Sequence, residues 1–105
     1  MTRKRNAGVI YGNFEWDADK ARYNIQEHEV AFEEATTVFD DPFFIIYKDP
    51  DHSIGELRYI MIGESEQHRS LMVSYTERGS RTRIISAREL TAKERRSYEK
   101  KKERF

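Results

Sequence analysis

The stretch from residue 69 to residue 88 constrains the fold of this chain more than any other. Two runs rich in β-branched and aromatic residues flank a polar turn with Arg78 and Gly79 at its tip, and this pattern predicts a β-hairpin. One face of the hairpin should be apolar, and the other should carry arginines beside small hydroxyl residues. The predicted cross-strand pairs are Val73 with Ile84 and Tyr75 with Thr82 on the apolar face, and Ser74 with Arg83 and Thr76 with Arg81 on the polar face.

The polar face of this hairpin has two interpretations. Guanidinium groups match the geometry of phosphate oxygens, and nearby Ser and Thr hydroxyls add hydrogen bonds, so the face is suited to an extended polyanion. Alternatively, arginines on the wet face of an antiparallel hairpin only keep the protein soluble. The hairpin alone leaves both interpretations open.

Charge is distributed unevenly along the chain. The 105 residues contain 19 Lys+Arg and 19 Asp+Glu, which gives no net charge and argues against indiscriminate binding of nucleic acid. Residues 13–66 hold 14 acidic against 4 basic side chains, whereas residues 78–104 hold 11 basic against 4 acidic. If the basic third folds onto one side, that side has a positive potential, while the acidic part suits a basic protein partner.

The absence of cysteine limits the chemistry of the chain. Disulfides, thiolate metal sites and a cysteine nucleophile are excluded, and the composition fits a reducing compartment. No apolar run approaches the length of a membrane span, and no signal-peptide hydrophobic region follows the basic N-terminus. We therefore expect a single cytoplasmic domain over residues 1–105, with residues 1–8 as a flexible arm.

The first predicted helix covers residues 17–28. Asp17 is a suitable N-cap, and apolar residues recur after it at steps of three and four. This spacing puts His28 on the apolar side of the helix, whereas Lys20 and Asn24 form a polar stripe. A histidine in that position is either a buried core residue or, with an unperturbed pKa of about 6.5, a general acid or base.

The remaining pattern predicts an α+β domain. A strand over residues 9–14 precedes the first helix, and a short second helix ends before Pro42. A buried strand over residues 43–47, a strand over residues 56–64, the hairpin, and a terminal helix over residues 92–104 follow. We expect the N-terminal helices to pack on an antiparallel β-sheet and the C-terminal helix to lie at the sheet edge.

Asp49, Asp51 and His52 are the candidate metal ligands. Their carboxylates and imidazole could contact a divalent ion, but Asp-Pro-Asp is also ordinary turn chemistry, and no other cluster supplies the missing ligands. The chain also has no glycine-rich phosphate loop, nucleophile elbow or HExxH motif. We therefore predict no metal and no cofactor.

The remaining side chains permit metal-free cleavage of RNA without requiring it. That reaction needs a base for the 2′-hydroxyl proton, cations that stabilise the phosphorane, and an acid for the leaving 5′-oxygen. Lys20, Arg58 and Arg83 are candidate charge stabilisers. Glu56 or His28 could move the protons.

Several motifs together resemble the BrnT family of bacterial toxins from type II toxin–antitoxin modules. They occur in consistent order over residues 14–99, and their combination is far more specific than any one of them. The motifs are Phe14-Glu15-Trp16-Asp17 with Lys20, VAFEEATTVFDDP at residues 30–42, Asp49-Pro50-Asp51-His52-Ser53, Tyr75-Thr76-Glu77-Arg78-Gly79, Arg83-Ile84-Ile85-Ser86-Ala87-Arg88 and Glu94-Arg95-Arg96-Ser97-Tyr98-Glu99.

The resemblance implies a RelE-like fold and a ribonuclease that arrests translation and growth until a BrnA-like antitoxin neutralises it. In that family the antitoxin carries a ribbon-helix-helix region, so operator DNA would be contacted only through the antitoxin. The alternative is a non-catalytic module that holds the antitoxin and tunes autorepression. Direct DNA binding by the basic terminal helix is a third, weaker hypothesis, because the chain as a whole is neutral.

The resemblance and the hairpin face together give the predicted site. Lys20, His28, Glu56, Arg58, Arg83 and Arg88 stand at positions where the family has recurrent polar side chains, and Tyr98 lies in its terminal-helix motif. The predicted catalytic residues are Lys20, His28, Glu56, Arg58 and Arg83, and the predicted RNA-binding residues are Arg81, Arg88 and Tyr98.

Overall fold

The computed structural model describes residues 7–52 and 55–103, apart from the His52 side chain, and most of the predicted arm therefore lies outside the described residues. The elements confirm an α+β protein, and the first strand already includes Gly8. In chain order they are β1 (Gly8–Tyr11), β2 (Phe14–Asp17), α1 (Ala18–His28), α2 (Phe32–Thr37), a 3-10 helix (Val38–Asp40), β3 (Ile45–Lys48), a second 3-10 helix (Pro50–His52), β4 (Arg58–Glu64), β5 (Ser70–Arg78), β6 (Arg81–Glu89) and α3 (Ala92–Lys102).

The six strands form one sheet in the order β1-β2-β6-β5-β4-β3. Neighbouring strands are antiparallel except β2 and β6, which run parallel, so the prediction of a purely antiparallel sheet was wrong at this point. The first strand was also predicted as one segment and is in fact two. Gly12 turns the chain between β1 and β2 with a φ of 62°, a conformation that glycine adopts without steric cost.

The β5–β6 hairpin is confirmed, but its tip lies one residue later than predicted, at Gly79 and Ser80. Near the tip, each residue of β5 therefore pairs with the residue of β6 two positions after the predicted partner. Since side chains in a strand alternate with a period of two, a shift by two residues keeps both predicted faces. A β-bulge beyond Tyr75 shifts the register again. The observed pairs are Arg78 with Arg81, Thr76 with Arg83, Tyr75 with Ile84, Ser74 with Ser86 and Val73 with Ala87.

The two faces of the sheet differ in what covers them. On the first, here named the core face, α1 and α2 pack over the main hydrophobic cluster. Its largest fully buried side chains include Trp16, Phe32, Leu71 and Ile84. Burial of side chains of this size stabilises a fold by roughly 2 kcal/mol each. The opposite side is named the second face.

α3 packs on the second face of the sheet and does not lie at its edge, so the predicted position of this helix was wrong. Tyr98 is 3% exposed and packs with Ile62 of β4 and with Leu90. Its hydroxyl donates to Asp41 Oδ2 at 2.7 Å. Most other residues of α3 are polar. Burial of the Tyr98 ring against the apolar surface of the sheet removes it from water, and this contact fixes the position of the helix over β4.

α1 has the predicted bounds, but its buried side is not the predicted one. Asn24 is 3% exposed, whereas Ile25 is 49% exposed and His28 is also exposed. The Asn24 carboxamide donates to the Ala87 carbonyl at 2.8 Å and accepts from the Ala87 amide at 3.1 Å. The Asn24 side chain thereby satisfies the backbone hydrogen-bonding groups of Ala87, which lies in the part of β6 that does not pair with β2. Because buried backbone groups need hydrogen-bond partners, Asn24 faces the sheet although the apolar spacing of the helix predicts another buried side. The prediction of His28 on an apolar stripe was wrong.

β3 was predicted as a buried strand and is instead an exposed edge strand. Ile46 is 44% exposed and Tyr47 is 41% exposed. A run of apolar residues predicts a strand but does not indicate whether a neighbour covers each side of it. Among the described residues, no helix is long and apolar enough to span a membrane.

Candidate active site

A row of polar side chains crosses four strands on the part of the second face beyond α3. Arg58 of β4, Thr76 of β5, Arg83 of β6 and Glu15 of β2 are successive register partners. Neighbouring strands lie about 4.8 Å apart, so the backbones of Arg58 and Arg83 are about 10 Å apart. We name these four residues the charged row.

Alternation along each strand explains why the charged row faces away from the core. Every member of the row is followed or preceded in its strand by an aromatic or aliphatic residue of the main hydrophobic cluster. Because neighbours in a strand point to opposite faces, burial of those residues turns the polar side chains outward. The flanking residues are Phe14 and Trp16 beside Glu15, Tyr59 beside Arg58, Tyr75 beside Thr76, and Ile84 beside Arg83.

Carboxylates of the same molecule hold the guanidinium groups of this surface. Arg83 Nη1 donates to Glu15 Oε2 at 2.9 Å, and the two side chains are 26% and 18% exposed. Glu56 pairs with Arg58, at 3.5 Å from Nε, and with Arg78, at 3.3 Å from Nη2. Ion pairs open to water contribute only about 0–1 kcal/mol, so a phosphate oxygen can replace a carboxylate in the two Glu56 pairs at small cost.

Thr76 and Arg81 complete the surrounding surface. The Thr76 hydroxyl donates to the Leu57 carbonyl at 2.6 Å and is buried, and it fixes the backbone that leads from Glu56 into β4. Arg81 pairs with Arg78 next to the hairpin tip, on the same face as Arg83. Within the described ranges, no ion pair holds the Arg81 guanidinium.

The structure divides the predicted catalytic residues between two sides of the sheet. Glu56, Arg58 and Arg83 come together on the second face, as described above. Lys20 and His28 are exposed side chains of α1, which packs on the core face. Lys20 contributes to the start of that helix through its backbone amide, which donates to Asp17 Oδ2 at 2.9 Å. No contact among the described residues joins Lys20 or His28 to the charged row.

Two of the predicted RNA contacts are engaged with α3. Arg88 donates from both terminal nitrogens to Glu94, at 2.9 and 3.0 Å, and this bidentate pair lowers the pKa of Glu94 to about 2. Tyr98 is buried, and burial together with the hydrogen bond to Asp41 raises the pKa of its hydroxyl. The geometry therefore gives Arg88 and Tyr98 structural partners, and their contacts with RNA remain a prediction.

Sequence reasoning missed Glu15 and Arg78 as members of this surface. The position of Glu15 between Phe14 and Trp16 does indicate a side chain on the polar side of a strand. That β2 lies beside β6 could not be read from the sequence, because the two strands are separated by most of the chain.

The candidate metal ligands begin beside the charged row, because the Asp49 amide donates to the Arg58 carbonyl at 2.8 Å, whereas both cavities lie away from the row. Asp49 Oδ1 accepts a hydrogen bond from the Asp51 amide at 3.1 Å, which is turn chemistry. Across the described part of the chain, no group of three His, Cys, Asp or Glu side chains is arranged to hold a metal. A cavity of about 150 Å³ lies between α3 and β3–β4, and one of about 260 Å³ lies beside Asp40 and Glu66. No member of the charged row lines either cavity. The row instead forms an open surface that is suited to an extended chain.

Comparison with known proteins identifies the family. The family model described as "Ribonuclease toxin, BrnT, of type II toxin-antitoxin system" matches residues 16–94. This chain belongs to the BrnT family. It is therefore a toxin of the type II toxin–antitoxin class, in a family described as ribonucleases, and that class implies an antitoxin partner.

A solved structure supports the same fold. The chain is similar to the crystal structure of the Brucella abortus ribonuclease toxin BrnT, with a TM-score of 0.58 and 22% sequence identity. The likeness covers 72% of this chain and 92% of that chain. A comparison with curated proteins gave no match. The BrnT-family match spans Glu56, Arg58 and Arg83, whereas Glu15 lies one residue before it.

Proposed function

We propose that this BrnT-family chain is a metal-independent endoribonuclease that cleaves RNA on the second face of its sheet and thereby arrests translation and growth. A BrnA-like antitoxin with a ribbon-helix-helix region would neutralise it, and operator DNA would be contacted only through that partner. The observation that carries the proposal is the convergence of Arg58, Arg83 and Glu56 on one open surface. The RelE-like relationship implied by the sequence resemblance is part of this proposal.

RNA binding would exploit the spacing of the arginines. A ribose-phosphate chain laid across the strands passes over Arg58 and Arg83, and long arginine side chains with backbones about 10 Å apart can converge on one phosphate. Arg81 and Arg78, one row further toward the hairpin tip, would meet a neighbouring phosphate. Such contacts are independent of base sequence.

Cleavage would follow attack by the 2′-hydroxyl. Once phosphate displaces Glu56 from Arg58 and Arg78, the free carboxylate takes the 2′-hydroxyl proton, and the 2′-oxygen attacks the phosphorus. Arg58 and Arg83 stabilise the negative charge of the phosphorane. The bond to the 5′-oxygen breaks, and that oxygen takes a proton from water at this open surface. The products are a 2′,3′-cyclic phosphate and a 5′-hydroxyl.

The test uses the purified, antitoxin-free chain and total RNA in the presence of a chelator. We expect cleavage with 5′-hydroxyl product ends. We expect Glu56→Gln, which keeps the shape of the side chain, to lose about 10²-fold or more in rate, the usual contribution of a positioned base. Intact RNA, cleavage abolished by the chelator, or full activity of a folded Glu56→Gln variant would contradict the proposal.

One observation favours the non-catalytic alternative, a module that holds the antitoxin and tunes autorepression. Arg83 and Arg78 are both engaged by carboxylates of the same chain, so part of the charge available to RNA is already neutralised. In that case the folded, partner-free chain leaves RNA intact at every concentration, while the complex with the antitoxin still binds operator DNA.

A further inference from the structure

Within the part of the chain that the structure describes, β3 is the last strand of the sheet and leaves one side of its backbone open. The Asp49 amide, directly after β3, donates to the Arg58 carbonyl at 2.8 Å and so points toward β4. Amide directions alternate along a strand, so the Tyr47 amide also points toward β4, whereas the amides and carbonyls of Ile46 and Lys48 point to the open side. The edge therefore offers two donors and two acceptors to an added strand.

Large apolar side chains surround this open edge. Phe43, Phe44, Ile46 and Tyr47 are each between 41% and 44% exposed, within five consecutive residues. Proteins usually protect edge strands from pairing with charged residues, proline or a covering element. An open backbone edge beside four exposed apolar side chains is the arrangement that recruits an extended segment of another chain.

Positive charge flanks the apolar side chains. Lys101 Nζ of α3 donates to the Tyr47 hydroxyl at 2.8 Å and lies 5.2 Å from the centroid of its ring, and Lys48 is exposed at the end of β3. Among the described residues, no carboxylate pairs with either ammonium group. A second copy of this chain would add more lysine charge to this edge, and its own β3, Ile45–Lys48, contains no acidic residue to balance it. An acidic strand has the complementary charge.

We propose that the antitoxin of this module adds an extended segment to β3, with apolar residues over Ile46 and Tyr47 and acidic residues against Lys48 and Lys101. This inference rests on the proposed function, since the antitoxin partner follows from the family. Lys48 pairs with Tyr59, the residue next to Arg58 of the charged row. A segment that continues past Lys48 is therefore directed toward the Arg58 end of β4, from two strand spacings (about 10 Å) away, which gives neutralisation a physical route.

The first test measures the affinity of the purified chain for the protein encoded by the adjoining antitoxin gene. Ile46→Pro removes an outward amide and leaves the hydrogen bonds to β4 intact, so the variant keeps its sheet. We expect Ile46→Pro and Lys101→Glu each to weaken binding by about tenfold or more. Lys100→Glu is the matched control, because it makes the same charge change in the last turn of α3, and its affinity should stay unchanged.

Hydrogen exchange gives a second readout of the same proposal. In the complex, the amides of Ile46 and Lys48 should become protected, while the Tyr47 amide, already bonded to β4, serves as the internal reference. Unchanged affinity of both variants, or new protection on β1 in place of β3, would overturn the proposal. So would a free chain that is dimeric by light scattering and that Ile46→Pro makes monomeric, because a second copy would then occupy the edge.

A growth assay separates this inference from the proposed function. Expressed alone, Ile46→Pro should arrest growth as the unmodified chain does, and co-expressed antitoxin should fail to relieve that arrest. Full relief of the variant contradicts the docking site. Absence of arrest by the unmodified chain contradicts the proposed function instead, and the affinity measurements still decide the role of β3.

Discussion

Arg83 and Glu15 lie side by side where β2 and β6 run parallel, with Arg83 Nη1 2.9 Å from Glu15 Oε2. Both side chains are less than one third exposed, so water weakens this pair less than it weakens the pairs of Glu56. Glu15 thus fixes the direction in which the Arg83 guanidinium points. In the proposed mechanism, Glu15 is a positioning residue that acts through Arg83.

Replacement of Glu15 should slow RNA cleavage, and the whole of this effect should arise from the displaced Arg83 guanidinium. We expect Glu15→Leu to lower kcat by about 10²-fold, because a guanidinium that stabilises the phosphorane has lost its anchor. Glu15→Gln keeps an acceptor and should lose less. The check is a double-mutant cycle: Glu15→Leu combined with Arg83→Ala should be no slower than Arg83→Ala alone. Additive losses would show that Glu15 acts independently of Arg83.

Replacement of Arg88 should loosen α3 without slowing RNA cleavage. Arg88→Ala removes the bidentate pair with Glu94, and we expect the free energy of unfolding to fall by about 1 kcal/mol, since both groups are partly open to water. Thermal unfolding and amide exchange in α3 measure the effect. Loss of cleavage by an Arg88→Ala variant with an intact melting transition would contradict this expectation and support the RNA-binding role predicted from the sequence.

The ion pair between the buried Glu34 carboxylate and the partly exposed Arg69 should make stability depend on pH. Arg69 Nε donates to Glu34 Oε2 at 3.0 Å, Glu34 is 3% exposed, and this hydrogen bond lowers the pKa of Glu34 from its ordinary 4.5. A lowered carboxyl pKa stabilises the fold above the unfolded pKa, and the contribution is lost as the pH falls through the folded pKa. We expect Glu34→Gln to cost about 3 kcal/mol at neutral pH, because it leaves Arg69 with fewer partners.

Urea unfolding of both proteins between pH 7 and strongly acidic conditions tests this expectation. The difference in the free energy of unfolding between the unmodified chain and Glu34→Gln should shrink as the pH falls below about 4.5. A difference that stays constant across that range would mean that Glu34 does not titrate as a paired carboxylate.

Local signals in the sequence predicted most of the elements. Asp17 caps α1 and Thr91 caps α3 as their side chains suggest, and the hairpin has the predicted faces. These features depend on residues close in sequence, so a short window contains the information.

Features that depend on distant partners were not predictable in this way. Asn24 is buried because it bonds to Ala87, which lies 63 positions later, and β3 is exposed because no strand of residues 7–52 or 55–103 follows it in the sheet. The residues of the candidate site also divide into those that local sequence predicted correctly and those whose position depends on distant partners. Alternation put Arg58 and Arg83 on one face. Lys20 was grouped with them because its charge fits the chemistry and because it stands at a recurrent polar position in the family resemblance, but α1 holds it on the other side of the sheet.

Single-turnover cleavage of RNA by Arg83→Ala, compared with Lys20→Ala and the unmodified chain, tests most directly whether the second face performs the chemistry. We expect Arg83→Ala to lose about 10²-fold or more in rate, and Lys20→Ala, on the opposite side of the sheet, to remain close to the unmodified chain. A folded Arg83→Ala variant with full activity, or a loss confined to Lys20→Ala, would contradict the assignment of catalysis to the charged row.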